Sequence, residues 1–186
     1  MNRLFSIGTL FPIPDGTRVC PFLNPFDVNE KELPLNVLSG MSIAAGELDP
    51  RTESRIHIHP IVAQVTWVIE GHLVVKMKEE GQEQPYSLDV NPQQAVLTKP
   101  RSFFQLINPS PTSVVRVLYI VSPAYVFDAD KSGVYYDDAI ILHETWDELG
   151  RHDWKIRQLE NLAAIEQQRR IAIDRIAKRK SETVAG

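Results

Sequence analysis

The sequence predicts an all-β domain, an antiparallel sandwich or barrel, with an irregular arm before it and one long α-helix after it. Three observations carry this expectation. From about Gly40 to Pro123, short runs rich in Val, Ile, Thr and aromatics succeed one another with turn signals and no helical pattern between them. The chain ahead of Gly40 is dense in proline and turn residues. The segment from His152 to Lys180 contains neither proline nor glycine.

Residues 1–39 read as the arm. "FPIPDGT" and "CPFLNPFDVNEKELPLN" leave little room for regular structure, yet Phe5, Phe11, Phe22 and Phe26 are too many aromatics for a free tail. The arm is therefore expected to wrap across a surface, either its own barrel or that of a partner subunit. Residues 40–123 read as the barrel core, through "MSIAAGEL", "AQVTWVIEG", "HLVVKMK", "QAVLTKP", "FFQLIN" and "SVVRVLYIVS". Alternation in "QVTWVIE" puts Gln64, Thr66 and Val68 on one face and Val65, Trp67 and Ile69 on the other. Both faces are apolar enough to be covered, the outer one by the arm or by a dimer mate. Residues 124–151 read as a connecting segment with one more short strand. Residues 152–186 read as the helix and its polar tail, with Ile156, Leu159, Ala163, Ile173 and Ile176 or Ala177 on a narrow apolar stripe suited to packing or dimerisation.

Composition removes several function classes. The 43% hydrophobic content over 186 residues is enough for one sizeable core. A formal charge of −4, with its charges interspersed, argues against nucleic acid and for a small-molecule or protein partner. "RRIAIDRIAKRK" is interrupted by Asp174 and has no interleaved aromatic, which argues the same way. No run of about 18 apolar residues occurs, so no membrane span is expected. Pro12 and Pro14 break the short apolar run at the start, which reads as no cleavable leader. The single cysteine, Cys20, forms no internal disulfide, and the expected location is the cytoplasm.

The chemistry concentrates in "RIHIHPIVAQVTWVIEG", Arg55 to Gly71. His57 and His59 are two apart on a strand, so both imidazoles point to the same face. Four residues later stands Gln64, and six residues after that Gly71. This stretch resembles the first motif of the cupin superfamily: Gly, five residues, His, any, His, three or four residues, Glu, six residues, Gly. Here Arg51 replaces the opening glycine and Gln64 the glutamate. The second motif runs Gly, five residues, Pro, any, Gly, two residues, His, three residues, Asn. "QAVLTKPRSFFQLIN" is similar to it when aligned on Pro100, with Gln94 and Ser102 at the glycines, Gln105 at the histidine and Asn108 one residue early.

The resemblance covers about Ser42 to Ser122. It implies a double-stranded β-helix, or jelly-roll, barrel, and a divalent metal ion (Fe, Ni, Zn, Mn or Cu) held by His57, His59, Gln64 and Gln105. Two of those four are neutral amides, so the family's carboxylate is missing, and a bound ion would keep its full charge. Lewis-acid chemistry of isomerase or lyase type is then favoured over oxygenase chemistry, with a small polar organic molecule as substrate. No catalytic residue is assigned. One alternative is a metal-free barrel that binds or senses a small ligand, in which the amides hydrogen-bond the ligand directly. Another is a scaffold whose arm and helix organise an assembly, with a homodimer as the simplest case. Among the remaining polar residues, His72 shares a face with Val74, Lys76 and Lys78 and reads as surface, while His143 reaches towards the barrel mouth and His152 belongs to the approach to the helix. Arg116 and Tyr119 lie on opposite faces of one strand, so at most one of them faces the cavity.

Overall fold

The computed structural model describes residues 4–29, 33, 35, 38–150, 159 and 161–184. His152 and Ile156 lie outside these residues.

The proline-rich arm supplies two strands. β1 (Phe11–Pro12) and β2 (Arg18–Leu23) form a hairpin whose turn is "DG", with Gly16 at φ 94°. Little regular structure was expected here because of the prolines. Pro12 sits in the sheet's terminal strand, and Pro21 sits where the register slips before Leu23, two places where a missing N–H costs little. Burial of Val19 and Cys20 holds β2 down. The arm thus wraps its own barrel.

The barrel follows in order: β3 (Ser42–Leu48), β4 (His57–Ile58), β5 (Ala63–Glu70), β6 (Leu73–Lys78), β7 (Tyr86–Val90), β8 (Ala95–Thr98), β9 (Phe103–Ile107) and β10 (Val115–Ser122). The connecting segment adds β11 (Phe127–Asp130), β12 (Gly133–Asp137), β13 (Ile140–Ile141) and a one-turn helix, α1 (Trp146–Leu149), started by a Thr145–Glu148 capping box. All pairings are antiparallel. One sheet has the order β1-β2-β3-β10-β5-β8, the other β13-β4-β9-β6-β7, and β11 and β12 form a separate ribbon. Alternate residues of both sheets, among them Val68, Val75, Phe104, Leu106, Val115 and Val117, interdigitate in a dry core. This is the jelly-roll arrangement the resemblance implied.

Asn108 fastens the end of this sandwich. It is 1% exposed, and its amide group donates to the carbonyls of Leu48, Asp49 and Ser113 at 3.0, 3.0 and 2.8 Å while its oxygen accepts from Ser110 N.

β5 alternates as expected. Gln64, Thr66 and Val68 are buried, whereas Trp67 and Ile69 are exposed by 46% and 49%. The arm does not cover that outer face, because β2 lies on the far side of β3 and β10.

The long helix, α2, runs over Leu162–Val184. Its buried stripe keeps Ile173 and Ile176 of the expected one and departs from it elsewhere. Ala172 and Ile176 face the β11–β12 ribbon and Phe26, but Ala163 is exposed. The stripe is completed by cations: Arg169 binds Asp138 and the Ala124 carbonyl, Arg175 and Arg179 bind Asp128, and Lys180 donates to the carbonyls of Pro25, Asp27 and Leu33. Side-chain apolarity alone could not find a stripe made of arginine and lysine stems. Among the described residues no helix is long and apolar enough to cross a membrane.

Candidate functional site

A cavity of about 240 Å³ opens into the barrel, walled by the inner faces of β2, β3, β4 and β10, the β1–β2 turn and the connecting segment. Ile13, Val19, Leu106 and Val121 supply apolar wall, and His57, His59, Gln64, Asp15, Tyr119, Tyr125 and Asp137 supply the polar groups. Phe11 and Phe127, each 48% exposed, also line it.

β4 and the residue directly after it deliver the two histidines as the i, i+2 spacing requires, with His57 4% and His59 3% exposed and ring centroids 5.5 Å apart. The His57 ring packs on Phe104 at 3.9 Å, and the His59 ring meets Tyr125 edge-on at 5.8 Å. His57 Nδ1 lies 2.9 Å from the Arg55 carbonyl and donates to it, which leaves Nε2 with its lone pair. His59 Nδ1 is buried with no hydrogen-bond partner among the described residues. Burial pushes the His57 pKa down, opposed by the Asp15 carboxylate and the Arg55 carbonyl. Burial holds the His59 pKa well below the usual range, and His57 beside it adds to the effect. Both rings are neutral acceptors at neutral pH.

The two glutamines part company. Gln64 points inward and its amide donates to Thr66 Oγ1 at 3.0 Å. Gln105 points to the opposite face of β9, where it donates to Glu53 and the Ser54 carbonyl and accepts from Trp146 Nε1 at 2.7 Å. The expectation that Gln105 joins the histidines is corrected. The inward residue is its neighbour Phe104, because side chains alternate along the strand.

A one-residue shift of the second motif explains the error. Anchored on Asn108 instead of Pro100, the histidine position falls on Phe104 and the glycine positions on Gln93 and Arg101. Both have left-handed backbones, at φ 69° and 67°, as does Arg51 at the opening glycine of the first motif, at φ 58°. The Arg101 turn holds the site, its N donating to the His59 carbonyl at 2.8 Å, while Gln93 N donates to the carbonyl of Val68 in the core at 2.9 Å. Gly71 keeps its glycine, at φ 86°, where a Cβ would lie 2.8 Å from the Val114 carbonyl.

Three polar groups of the cavity come from segments read as arm and connector. Asp15 is 5% exposed and its Oδ1 accepts from both Thr17 N and Thr17 Oγ1 at 2.8 Å. Asp137 accepts from the Tyr125 hydroxyl and, at 2.9 Å, from Ala139 N. Burial pushes the Asp137 carboxyl up to about 6, against those two hydrogen bonds, with Asp138 and Asp15 adding repulsion. Burial likewise raises the Tyr125 and Tyr119 hydroxyls. Tyr119 lies directly over Gly46, where a Cβ would come within 2.3 Å of its ring. Of the pair on β10, Tyr119 is therefore the inward member, and Arg116 lies outside with Glu47 and Glu70. His143 is not at the cavity, since its ring nitrogen meets the Arg55 guanidinium on the surface. His72 is on the surface as expected, bonded to Asp89 and Asn91.

The residues do not fit a protein-held metal centre. A site of this kind needs three or four converging donors. Here two imidazoles face the cavity, the Gln64 amide hydrogen-bonds Thr66, Gln105 faces away, and a phenyl ring stands in the third histidine's place. Among the described residues no group of three or more His, Cys, Asp or Glu is arranged to hold an ion.

No protein-family model matches the sequence, and no curated protein does. Solved structures do match. An oxalate oxidase is 20% identical, with 94% of this chain and 75% of that one covered and a TM-score of 0.52. Peruvianin-I, described as a cysteine peptidase from Thevetia peruviana latex, is 15% identical over 71% and 70% of the chains, with a TM-score of 0.53. CapF in complex with 3-isopropenyl-tropolone is 11% identical over 77% of this chain and 36% of its own, with a TM-score of 0.52. At such identities the likeness speaks for architecture only. With the strand order, the paired histidines at β4 and the left-handed turns at the motif glycines, it shows that this chain has the cupin fold.

Proposed function

We propose that this chain binds a small organic molecule in its barrel cavity without a resident metal. The observation that carries this reading is Phe104, packed at 3.9 Å against His57 where a third ligand would stand, with Gln105 turned out of the barrel. A phenyl ring donates nothing to an ion. At about 240 Å³ the cavity falls below the roughly 300–1,000 Å³ typical of drug-sized sites, so the ligand is small. Ile13, Val19, Leu106 and Val121 would take its apolar body, and the His57 Nε2 lone pair and the unpartnered His59 Nδ1 would meet its polar end. The barrel, 40–123, supplies the imidazoles, while the arm, 1–39, and the connector, 124–151, each supply a carboxylate. The segment 152–186 backs the connector through Asp138.

The test is elemental analysis of the full chain, followed by calorimetric titration of EDTA-dialysed protein with 2-phenylethanol, a neutral probe. The expected result is metal far below one equivalent, and binding that survives chelation and is lost when Ala44→Phe fills the cavity. Near-stoichiometric metal that vanishes in the His57→Ala, His59→Ala variant, with binding that needs it, would overturn the reading and restore the metal grip.

A further inference from the structure

We propose that the occupant of this cavity is a small organic ammonium ion, a primary amine on a compact apolar body, with its charge held by Asp15 and Asp137. The proposal rests on the reading of the cavity as a ligand site.

Asp15 and Asp137 face one cavity from distant parts of the chain, and among the described residues no lysine or arginine lines it. Among the described residues neither carboxylate has an ion pair. Asp15 is satisfied on one oxygen by Thr17, and Asp137 by the Tyr125 hydroxyl and Ala139 N, all neutral donors. Nor do the histidines supply the missing charge, since burial keeps both neutral. Elsewhere this chain compensates its buried carboxylates: Asp128 and Asp138 both have arginine partners. An uncompensated carboxylate out of water is costly, and a cationic ligand removes that cost on binding.

A second feature of the same wall points the same way. His59, 3% exposed, has a buried Nδ1 with no partner, and His57 Nε2 has a free lone pair. An ammonium group carries three donors and no acceptor, the complement of a wall made of carboxylates and neutral imidazoles. Tyr125 and Tyr119 stand in the same wall, and the rest of the lining suits a hydrocarbon body. A carboxylate ligand would meet two like charges, with neutral donors such as the Tyr119 hydroxyl and no cation among the described lining residues to offset them.

Calorimetry at pH 7.5 on the EDTA-dialysed full chain with 2-phenylethylamine, 2-phenylethanol and phenylacetate, probes that share a ring and differ in charge, tests this. The amine is expected to bind at least about ten-fold tighter than the alcohol, and phenylacetate weakest. Asp137→Asn should shrink the amine-to-alcohol ratio to within about three-fold. Asp15→Asn should do the same, but its Thr17 bonds make it the riskier variant to fold. Alcohol or phenylacetate binding as tightly as the amine, and abolished by Ala44→Phe, would overturn the ammonium inference and leave the cavity reading standing. No binding by any probe, or binding untouched by Ala44→Phe, would overturn both.

Discussion

Asp137 and Asp138 are neighbours in the chain and opposites in the molecule. Asp138 is fully buried, accepts from Val126 N and the Tyr136 hydroxyl, and is paired with Arg169 of α2 at 2.9 Å. Asp137 faces the cavity with neutral donors alone. The same contrast separates Asp128, buried between Arg175 and Arg179, from Asp15 in the cavity wall. At the helix end, carboxylates are structural and their counter-charges are built into the chain. At the cavity end they are left open. The fold supplies three arginines to one pair of acids and, among the described residues, none to the other.

Breaking the paired side should have the largest effect. Arg169→Leu keeps an apolar stem but strands Asp138 out of water and releases the Ala124 carbonyl. A loss of about 3–5 kcal/mol in urea unfolding is expected. A loss below about 1 kcal/mol would mean that this chain tolerates bare buried carboxylates, and the cavity pair would lose its significance.

The open side should respond with the opposite sign. Asp137 has its pKa raised from 3.8 to about 6, so the folded chain holds that proton more tightly than the unfolded chain does. Its ionisation therefore costs stability as pH rises from about 4 through 6, and the whole cost is present above that window. The corresponding ceiling is about 3 kcal/mol, and partial exposure brings it to about 1–2 kcal/mol. Asp137→Asn, whose amide oxygen can still accept from Tyr125 and Ala139, should stabilise the protein by that amount at pH 8. The gain should disappear at pH 4. His57 and His59, with lowered pKa values, act in the other direction, since their stabilisation is lost as pH falls through the unfolded value of about 6.5. Comparing wild type and variant at each pH removes that shared slope. A destabilising Asp137→Asn at pH 8 would show that the carboxylate is already compensated.

Much of this was legible in the sequence, and the failures are specific. The barrel strands, the inward turn of His57, His59 and Gln64, and the placing of Tyr119 and Arg116 on opposite faces all follow from period-2 alternation, which is local. Gln105 was misplaced because a proline was given more weight than an asparagine. Asn108 makes four hydrogen bonds that only this register permits, whereas Pro100 occupies a turn that tolerates a shift. Asp15 and Asp137 were missed because their partners are some 120 residues apart in the chain, and no window of sequence joins a "DG" turn in the arm to the end of β12. The α2 stripe was misread in part for a related reason, as arginines count as surface until their carboxylates are in place.

The left-handed turns show what this barrel keeps for shape where the motif's glycines are replaced. Arg51, Gln93 and Arg101 hold φ values near 60°, where a side chain costs about 1–2 kcal/mol and glycine costs almost nothing. Gln93 is the cleanest case, being exposed, with a main chain that bonds Val68 on β5. Gln93→Gly should remove that strain and return about 0.5–1 kcal/mol of it as extra unfolded-state entropy, for a net gain of roughly 0.5 kcal/mol. Urea unfolding of Gln93→Gly beside Gln93→Ala checks this, because alanine carries the same Cβ and should gain nothing. If neither variant differs from wild type, the turn is not strained. If both gain, the glutamine side chain and not the backbone is at fault. The expected split would mean that the barrel keeps the motif's left-handed backbone under strain where the glycine that tolerates it has been replaced.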